Sequence, residues 1–229
     1  MENRQTVLAV KDLDISFKTS AGTVHAIRGV DFELHKGETL AVVGESGSGK
    51  SVTMKAAMGL LDSNASVNRG SILYTFQDDS GSDVTVDLLG MPIRQLRQTI
   101  NGKHIAMVFQ DPMTSLDPTM TIGRQIMEGM LLHSDISRPE ARKRAAALLE
   151  LVGITDAEKR MKQYPHQLSG GMRQRVVIAI VLSGSPDILI CDEPTTALDV
   201  TIQAKILELI KDVQERMGLS VIYITHDLG

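Results

Sequence analysis

The segment 44–51 has the residue types and spacing of a loop that holds phosphate groups. It reads GESGSGKS and fits the pattern G-x-x-x-x-G-K-[ST] between an apolar run and a helical pattern. Its glycines let backbone N–H groups curl around phosphates, Lys50 neutralises the β and γ groups, and the Ser51 hydroxyl coordinates Mg²⁺. A Gly/Ser-rich turn that matches by chance is the alternative, and the context of strand, loop and helix argues against it. The residues expected around the phosphates are Gly44, Ser46, Gly47, Ser48, Gly49, Lys50, Ser51 and Val52.

Two carboxylates follow the apolar run 188–191, where a strand would end. Asp192 is placed to hold Mg²⁺ through water, a general role of an aspartate at phosphoryl-transfer sites. Glu193, one residue further and pointing elsewhere, is the candidate general base for an attacking water. A strand followed by a polar turn is the alternative, and the phosphate loop upstream makes it the weaker interpretation.

The run 168–172, LSGGM, offers a second place for an anion. Ser169 can cap the helical pattern 172–182, while Gly170 and Gly171 permit an anion to approach the positive end of that helix. Because the loop at 44–51 already accounts for the phosphates, this site is surplus within one chain. Taken alone, the run would be a helix cap and nothing more.

Strands and helices of an α/β protein must position these groups. The runs 39–43, 105–109, 188–191 and 221–224 are apolar on both faces, which predicts a parallel sheet covered by helices. In the first 35 residues, Val30, Phe32 and Leu34 alternate with polar residues, which predicts an N-terminal antiparallel β layer.

Helical patterns cover 50–60, 139–152 and 202–217, and a polar surface loop between strands is expected at 77–83. Between Phe109 and Asp187 there is no strand pattern, so this stretch is expected to form a helical subdomain inserted in the sheet domain.

Composition excludes several classes of protein. The 229 residues suffice for one α/β core, and a net charge of -4 gives no electrostatic reason to bind nucleic acid. The single cysteine, Cys191, lies in an apolar run and indicates a core residue in a reducing compartment. No apolar run approaches the ~20 residues that span a bilayer, so any membrane role would come through a partner.

The order of motifs resembles the ABC ATPase family. The residues 168–175, LSGGMRQR, resemble its signature, and the other marks of the family occur in order around it. Phe17 resembles the aromatic residue that stacks on adenine, with a core aromatic as the alternative, and Gln110 resembles the Q-loop glutamine. Asp199 resembles the D-loop aspartate, and His226 resembles the switch histidine.

This resemblance implies a P-loop NTPase fold with ATP and Mg²⁺ as ligands. Two such domains pair head to tail, so that Ser169, Gly170 and Gly171 of one meet the γ-phosphate held by the other. The catalytic residues would be Glu193, His226 and Gln110, with Ser51, Gln110 and Asp192 at the metal. We expect a single nucleotide-binding domain over 1–229, with a helical subdomain at about 111–180 and the C-terminal part of the family domain missing.

Finer motifs point to a subgroup. The segments 109–118, 164–167 and 194–201 are similar to ATPase subunits of oligopeptide, dipeptide and nickel importers. The expected function is ATP hydrolysis that energises an importer of oligopeptides or dipeptides at the cytoplasmic face of the inner membrane. Expected partners are permease subunits, a second nucleotide-binding domain and, indirectly, a solute-binding protein. A soluble ABC ATPase that acts on nucleic acid or ribosomes is the alternative, and a non-catalytic subunit is a third possibility.

Overall fold

The computed structural model describes residues 5–78, 80–110, 115–195 and 200–226. The chain forms two compact units: unit 1 is Met1–Asn101 with Ile222–Gly229, and unit 2 is Gly102–Val221. The strands of the described residues are β1 Thr6–Thr19, β2 Gly22–His35, β3 Thr39–Val43, β4 Ala65–Gln77, β5 Asp83–Asp87, β6 Ile105–Val108, β7 Ile188–Asp192 and β8 Ser220–Thr225. The α-helices are α1 Lys50–Ala57, α2 Ile93–Thr99, α3 Ile122–His133, α4 Arg138–Leu151, α5 Ala157–Arg160, α6 Gly170–Leu182 and α7 Val200–Met217.

Unit 1 contains an antiparallel sheet with the strand order β2-β1-β4-β5. Its predicted alternation is confirmed, because Leu34 is buried whereas Asp31 and Glu33 are exposed. Val10 of β1 lies opposite Phe32 of β2 on one side and opposite Ile72 of β4 on the other. The bounds of β4 and β5 were not predicted from the sequence, although the loop expected between strands at 77–83 does lie between these two.

The second sheet has the strand order β3-β8-β7-β6. In unit 2, β6 and β7 run parallel in a register that pairs Ile105 with Ile188 and Val108 with Cys191. Both strands are buried along their whole length, as their apolar runs predict. The prediction for β3 is wrong in one respect, since its residues alternate between exposed and half-buried. The exposed residues Thr39, Ala41 and Val43 lie on one face of the strand, so that face is less covered than the apolar run predicts.

The described residues between β6 and β7 form helices and turns. The helix predicted at 139–152 is α4, which begins after Ser137 with Pro139 in its first turn. Helix α6 confirms the helical pattern predicted at 172–182, and it buries Val176, Ile178 and Leu182. Helix α2 was not predicted from the sequence, whereas α3 and α5 lie in the stretch predicted to be helical but had no predicted bounds. No helix in the described part of the chain is long and apolar enough to cross a membrane.

Burial of the single cysteine predicts how the free energy of unfolding depends on pH. Cys191 is fully buried in β7, and burial raises the pKa of its thiol from 9.0 to about 12. The unfolded chain loses the thiol proton above pH 9 while the folded chain keeps it, so the free energy of unfolding falls as the pH rises from 9 towards 12. Between pH 8 and pH 10, urea unfolding should show a loss about 1 kcal/mol larger for the wild type than for Cys191→Ala. Equal losses would contradict the shifted pKa.

Candidate functional site

The phosphate loop lies in unit 1 between β3 and α1, in the context that its motif requires. Lys50 is the first residue of α1, and its Nζ donates to the carbonyl oxygens of Gly44 at 2.6 Å and Glu45 at 2.8 Å. The ammonium group is therefore folded back over the loop. Helix α1 has no acidic residue in its first turn, so no carboxylate there opposes the approach of an anion to its N-terminus.

Gly49 shows why this loop needs glycine. Its φ is 94°, a left-handed conformation, and a Cβ at this position would lie 2.8 Å from the carbonyl oxygen of Ala26. Any side chain at 49 would displace either the loop or β2. The predicted helix from 50 to 60 ends earlier than expected, at Ala57, because the chain turns at Gly59.

Two other predicted residues lie in unit 1. Phe17 is half-buried in β1, opposite Val24 of β2 and Ala65 of β4. His226 is exposed and directly follows β8, as the sequence predicts. The D-loop prediction, Asp199, lies outside the described residues.

The two predicted carboxylates lie in unit 2. Asp192 is the last residue of β7 and is 7% exposed, and Glu193 is the next residue. The φ of Glu193 is 45°, a left-handed conformation that costs a non-glycine residue about 1–2 kcal/mol. Such a conformation persists only where neighbouring contacts hold it.

Gln110 and Glu193 come together in unit 2. Gln110 Nε2 donates to Glu193 Oε2 at 3.1 Å. The parallel register explains this contact, because Val108 pairs with Cys191 and each of the two residues lies two positions further along its strand direction. Gln110 therefore contacts the carboxylate predicted as the general base.

The surplus anion site is the N-terminus of α6. Helix α6 begins at Gly170, two residues before the predicted start, and Ser169 is its N-cap. The Ser169 hydroxyl accepts a hydrogen bond from the Met172 N–H at 3.4 Å. A Cβ at Gly171 would lie 3.1 Å from Ile202 of α7, so glycine here allows the two helix starts to pack closely.

Two glutamines that were not predicted from the sequence hold the backbone after Glu193. Gln174 Nε2, in α6, donates to the Pro194 carbonyl oxygen at 2.6 Å. Gln203 Nε2, in α7, donates to the Thr195 carbonyl oxygen at 3.1 Å. Gln174 belongs to the signature-like run 168–175 and is a polar residue just before the apolar part of α6, but nothing in the sequence identified its partner.

A sequence comparison decides the family. The family profile described as ABC transporter matches residues 27–196, which is most of the chain. The chain belongs to the ABC transporter family. The resemblance seen in 168–175 is thereby confirmed, and the ABC-type α/β fold is supported by solved structures. One of them, a dimeric ATP-binding cassette in a post-hydrolysis state bound to ADP and Pi, is 28% identical with a TM-score of 0.77, covering 96% of this chain and 88% of that one.

Curated relatives of this ABC chain are more similar in sequence. The oligopeptide transport ATP-binding protein OppD of Bacillus subtilis is 57% identical over 97% of this chain and 60% of its own length. The dipeptide transport ATP-binding protein DppD of the same organism is 54% identical over 98% of this chain and 64% of its own length. The chain thus spans less than two thirds of the length of these relatives.

The donor atoms at the predicted positions fit Mg²⁺. Ser51, Gln110 and Asp192 supply a hydroxyl, an amide and a carboxylate oxygen, which are hard ligands of the kind Mg²⁺ prefers. In unit 2, Gln110 donates to Glu193 through its amide nitrogen, so its amide oxygen is not used in that bond. The residues present therefore suit the metal that the family implies.

Proposed function

We propose that this chain is the ATP-binding and ATP-hydrolysing subunit of an importer of oligopeptides or dipeptides. The observation that carries the proposal is the similarity above 50% to two transport ATP-binding proteins, one for oligopeptides and one for dipeptides. The folded-back lysine of the phosphate loop and the contact between Gln110 and Glu193 supply the matching chemistry.

ATP binding is assigned to unit 1. Lys50 leaves the carbonyl oxygens of Gly44 and Glu45 for the β- and γ-phosphates, and backbone N–H groups of the loop bind the phosphate oxygens. Phe17 stacks on the adenine ring, and His226 contacts the γ-phosphate. The loop residues with roles in binding are Gly44, Ser46, Gly47, Ser48, Gly49, Lys50, Ser51 and Val52.

Hydrolysis is assigned to Glu193. Its carboxylate accepts a proton from water while the water oxygen attacks the γ-phosphorus and ADP leaves with the electrons of the broken bond. Gln110 orients that carboxylate through the hydrogen bond at 3.1 Å. Ser51, Gln110 and Asp192 would hold Mg²⁺, which would neutralise charge on the phosphate oxygens.

Partners complete the proposal. Ser169, Gly170 and Gly171, together with Asp199, contact the γ-phosphate held by a second nucleotide-binding domain, so the active form is a head-to-tail dimer. Permease subunits anchor the dimer at the cytoplasmic face of the membrane, and a solute-binding protein delivers the peptide. We place the whole chain in one nucleotide-binding domain with a helical subdomain at about 111–180.

Expression with candidate permease subunits tests the transport role. The full-length protein should co-purify with the permease pair, and in proteoliposomes its ATP hydrolysis should rise several-fold when peptide and solute-binding protein are added. A tripeptide and a dipeptide, compared with free Ni²⁺, separate the substrate classes. If the protein does not co-purify with the permeases and instead binds RNA or ribosomes, the importer proposal is wrong and the soluble ABC ATPase is favoured.

A further inference from the structure

Gln174 is a fully buried polar side chain with an unusual balance of hydrogen bonds. Its Nε2 donates to the Pro194 carbonyl oxygen at 2.6 Å, while its Oε1 has no hydrogen-bond partner within the described residues. A buried amide with one unpaired end is less favourable than an apolar side chain of the same shape. The stability of the core around helix α6 therefore does not account for an amide at this position. A role for Gln174 must instead come from its hydrogen bond to Pro194.

The bond reaches the backbone directly after Glu193. Glu193 has the left-handed φ of 45°, and Pro194 follows it without an N–H of its own. Gln174 holds the carbonyl of Pro194, and Gln203 of α7 holds the carbonyl of Thr195 at 3.1 Å. Side chains of α6 and α7 thus stabilise the turn that contains Glu193.

Gln174 also lies close to the N-terminus of its own helix, which is the candidate anion site. It is four residues after Gly170, one helical turn further along the same face of α6. A shift of the N-terminus of α6, where Ser169 caps the helix, would be carried to the Pro194 carbonyl by this side chain.

We propose that Gln174 is a positioning residue for hydrolysis. Its hydrogen bond to Pro194 holds Glu193 in the conformation in which the carboxylate meets Gln110, and it connects the start of α6 to the general base. The inference rests on the proposed function, in which Glu193 takes the proton from water. In this role Gln174 acts through Glu193 and not on ATP or the attacking water.

Gln174→Met in the full-length protein tests the bond, because methionine has a similar length and shape without the amide. We expect kcat for ATP hydrolysis to fall roughly 10- to 100-fold, as misplacement of a catalytic group does. The KM for ATP should stay within about twofold, since the phosphate loop is untouched. Gln174→Asn, which keeps an amide one methylene short of the carbonyl, should show the same loss and serves if the methionine variant does not fold.

Gln125→Met is the matched control. Gln125 is a buried glutamine of α3 whose Nε2 donates to the carbonyl oxygens of Asp117 at 2.9 Å and Met120 at 3.0 Å. The Gln125→Met substitution removes more hydrogen bonds than Gln174→Met does, and none of the bonds it removes involves residues 193–195. We expect a lower Tm for this variant with kcat within about twofold of the wild type.

A double-mutant cycle with Glu193→Gln gives the decisive result. If Gln174 acts through Glu193, Gln174→Met should lower kcat by less than about twofold in the Glu193→Gln background. A full additional loss in that background, or a kcat for Gln174→Met equal to that of Gln125→Met, would overturn the positioning role. Unchanged hydrolysis in Glu193→Gln itself would instead overturn the proposed function, and the positioning role with it.

Discussion

Glu193→Gln is expected to lower the rate of ATP hydrolysis by ~10²-fold or more, with ATP affinity unchanged. Glutamine has nearly the same shape as glutamate and can still accept the hydrogen bond from Gln110 Nε2 through its own oxygen, so the turn should keep its conformation. The amide cannot take a proton from water, which removes the general base alone. ATP should then persist on the protein and favour the ATP-bound dimer. Single-turnover hydrolysis and size-exclusion chromatography with Mg-ATP measure the two effects.

Glu140→Gln is a suitable control for that measurement. Glu140 is a solvent-accessible carboxylate of α4 that pairs with Arg144 at 2.9 Å, and it lies outside the segments assigned to ATP. Its loss should leave both hydrolysis and dimer formation near the wild-type level, since an exposed helix pair contributes little. Full-speed hydrolysis by Glu193→Gln would contradict the assignment of the base. Loss of ATP binding in that variant would mean that the carboxylate serves binding instead.

Sequence patterns predicted the strands that carry their own signal. The apolar runs of β6 and β7 bury both faces, and so they were identifiable without any knowledge of their neighbours. Strand β4 was missed because its first half, ASVNRGS, is polar and contains a glycine, a composition more typical of a loop. It is a strand because it pairs with β1 over most of its length. That pairing is tertiary structure and leaves no local pattern.

The features of the candidate site also fall into two groups, those with a local sequence signal and those without one. The phosphate loop and the cap at Ser169 are local, since each is formed by a few consecutive residues whose types determine the geometry. The contact of Gln110 with Glu193 joins residues 83 positions apart and depends on the register of β6 against β7. The bond from Gln174 to Pro194 spans 20 positions and depends on how α6 packs beside the turn. Motifs name the groups, and the sheet register and helix packing decide which of them meet.

Lys50→Ala is expected to weaken ATP binding by on the order of 10²-fold or more and to abolish measurable hydrolysis at low millimolar ATP. The ammonium group is the one cationic side chain of the segment 44–51, and in its absence the triphosphate keeps only backbone N–H groups as partners there. Folding should be little affected, because the two carbonyl oxygens that Lys50 contacts lie in a loop of mostly exposed residues and can bind water instead. Titration of a fluorescent ATP analogue measures the affinity, and circular dichroism reports the fold.

Lys55→Ala tests whether ATP affinity depends on the position of a lysine charge in α1 or only on the total charge of the helix. Lys55 lies in the last turn of the same helix α1, so this variant removes an equal charge from the same element at the end opposite the phosphate loop. A general electrostatic attraction between α1 and ATP would make the two variants similar in affinity. A loss confined to Lys50→Ala is the expected result, because a contact at hydrogen-bond distance depends on geometry whereas a charge several residues away is screened by solvent and salt. Equal affinities for Lys50→Ala and the wild type would remove the phosphate loop from the ATP site.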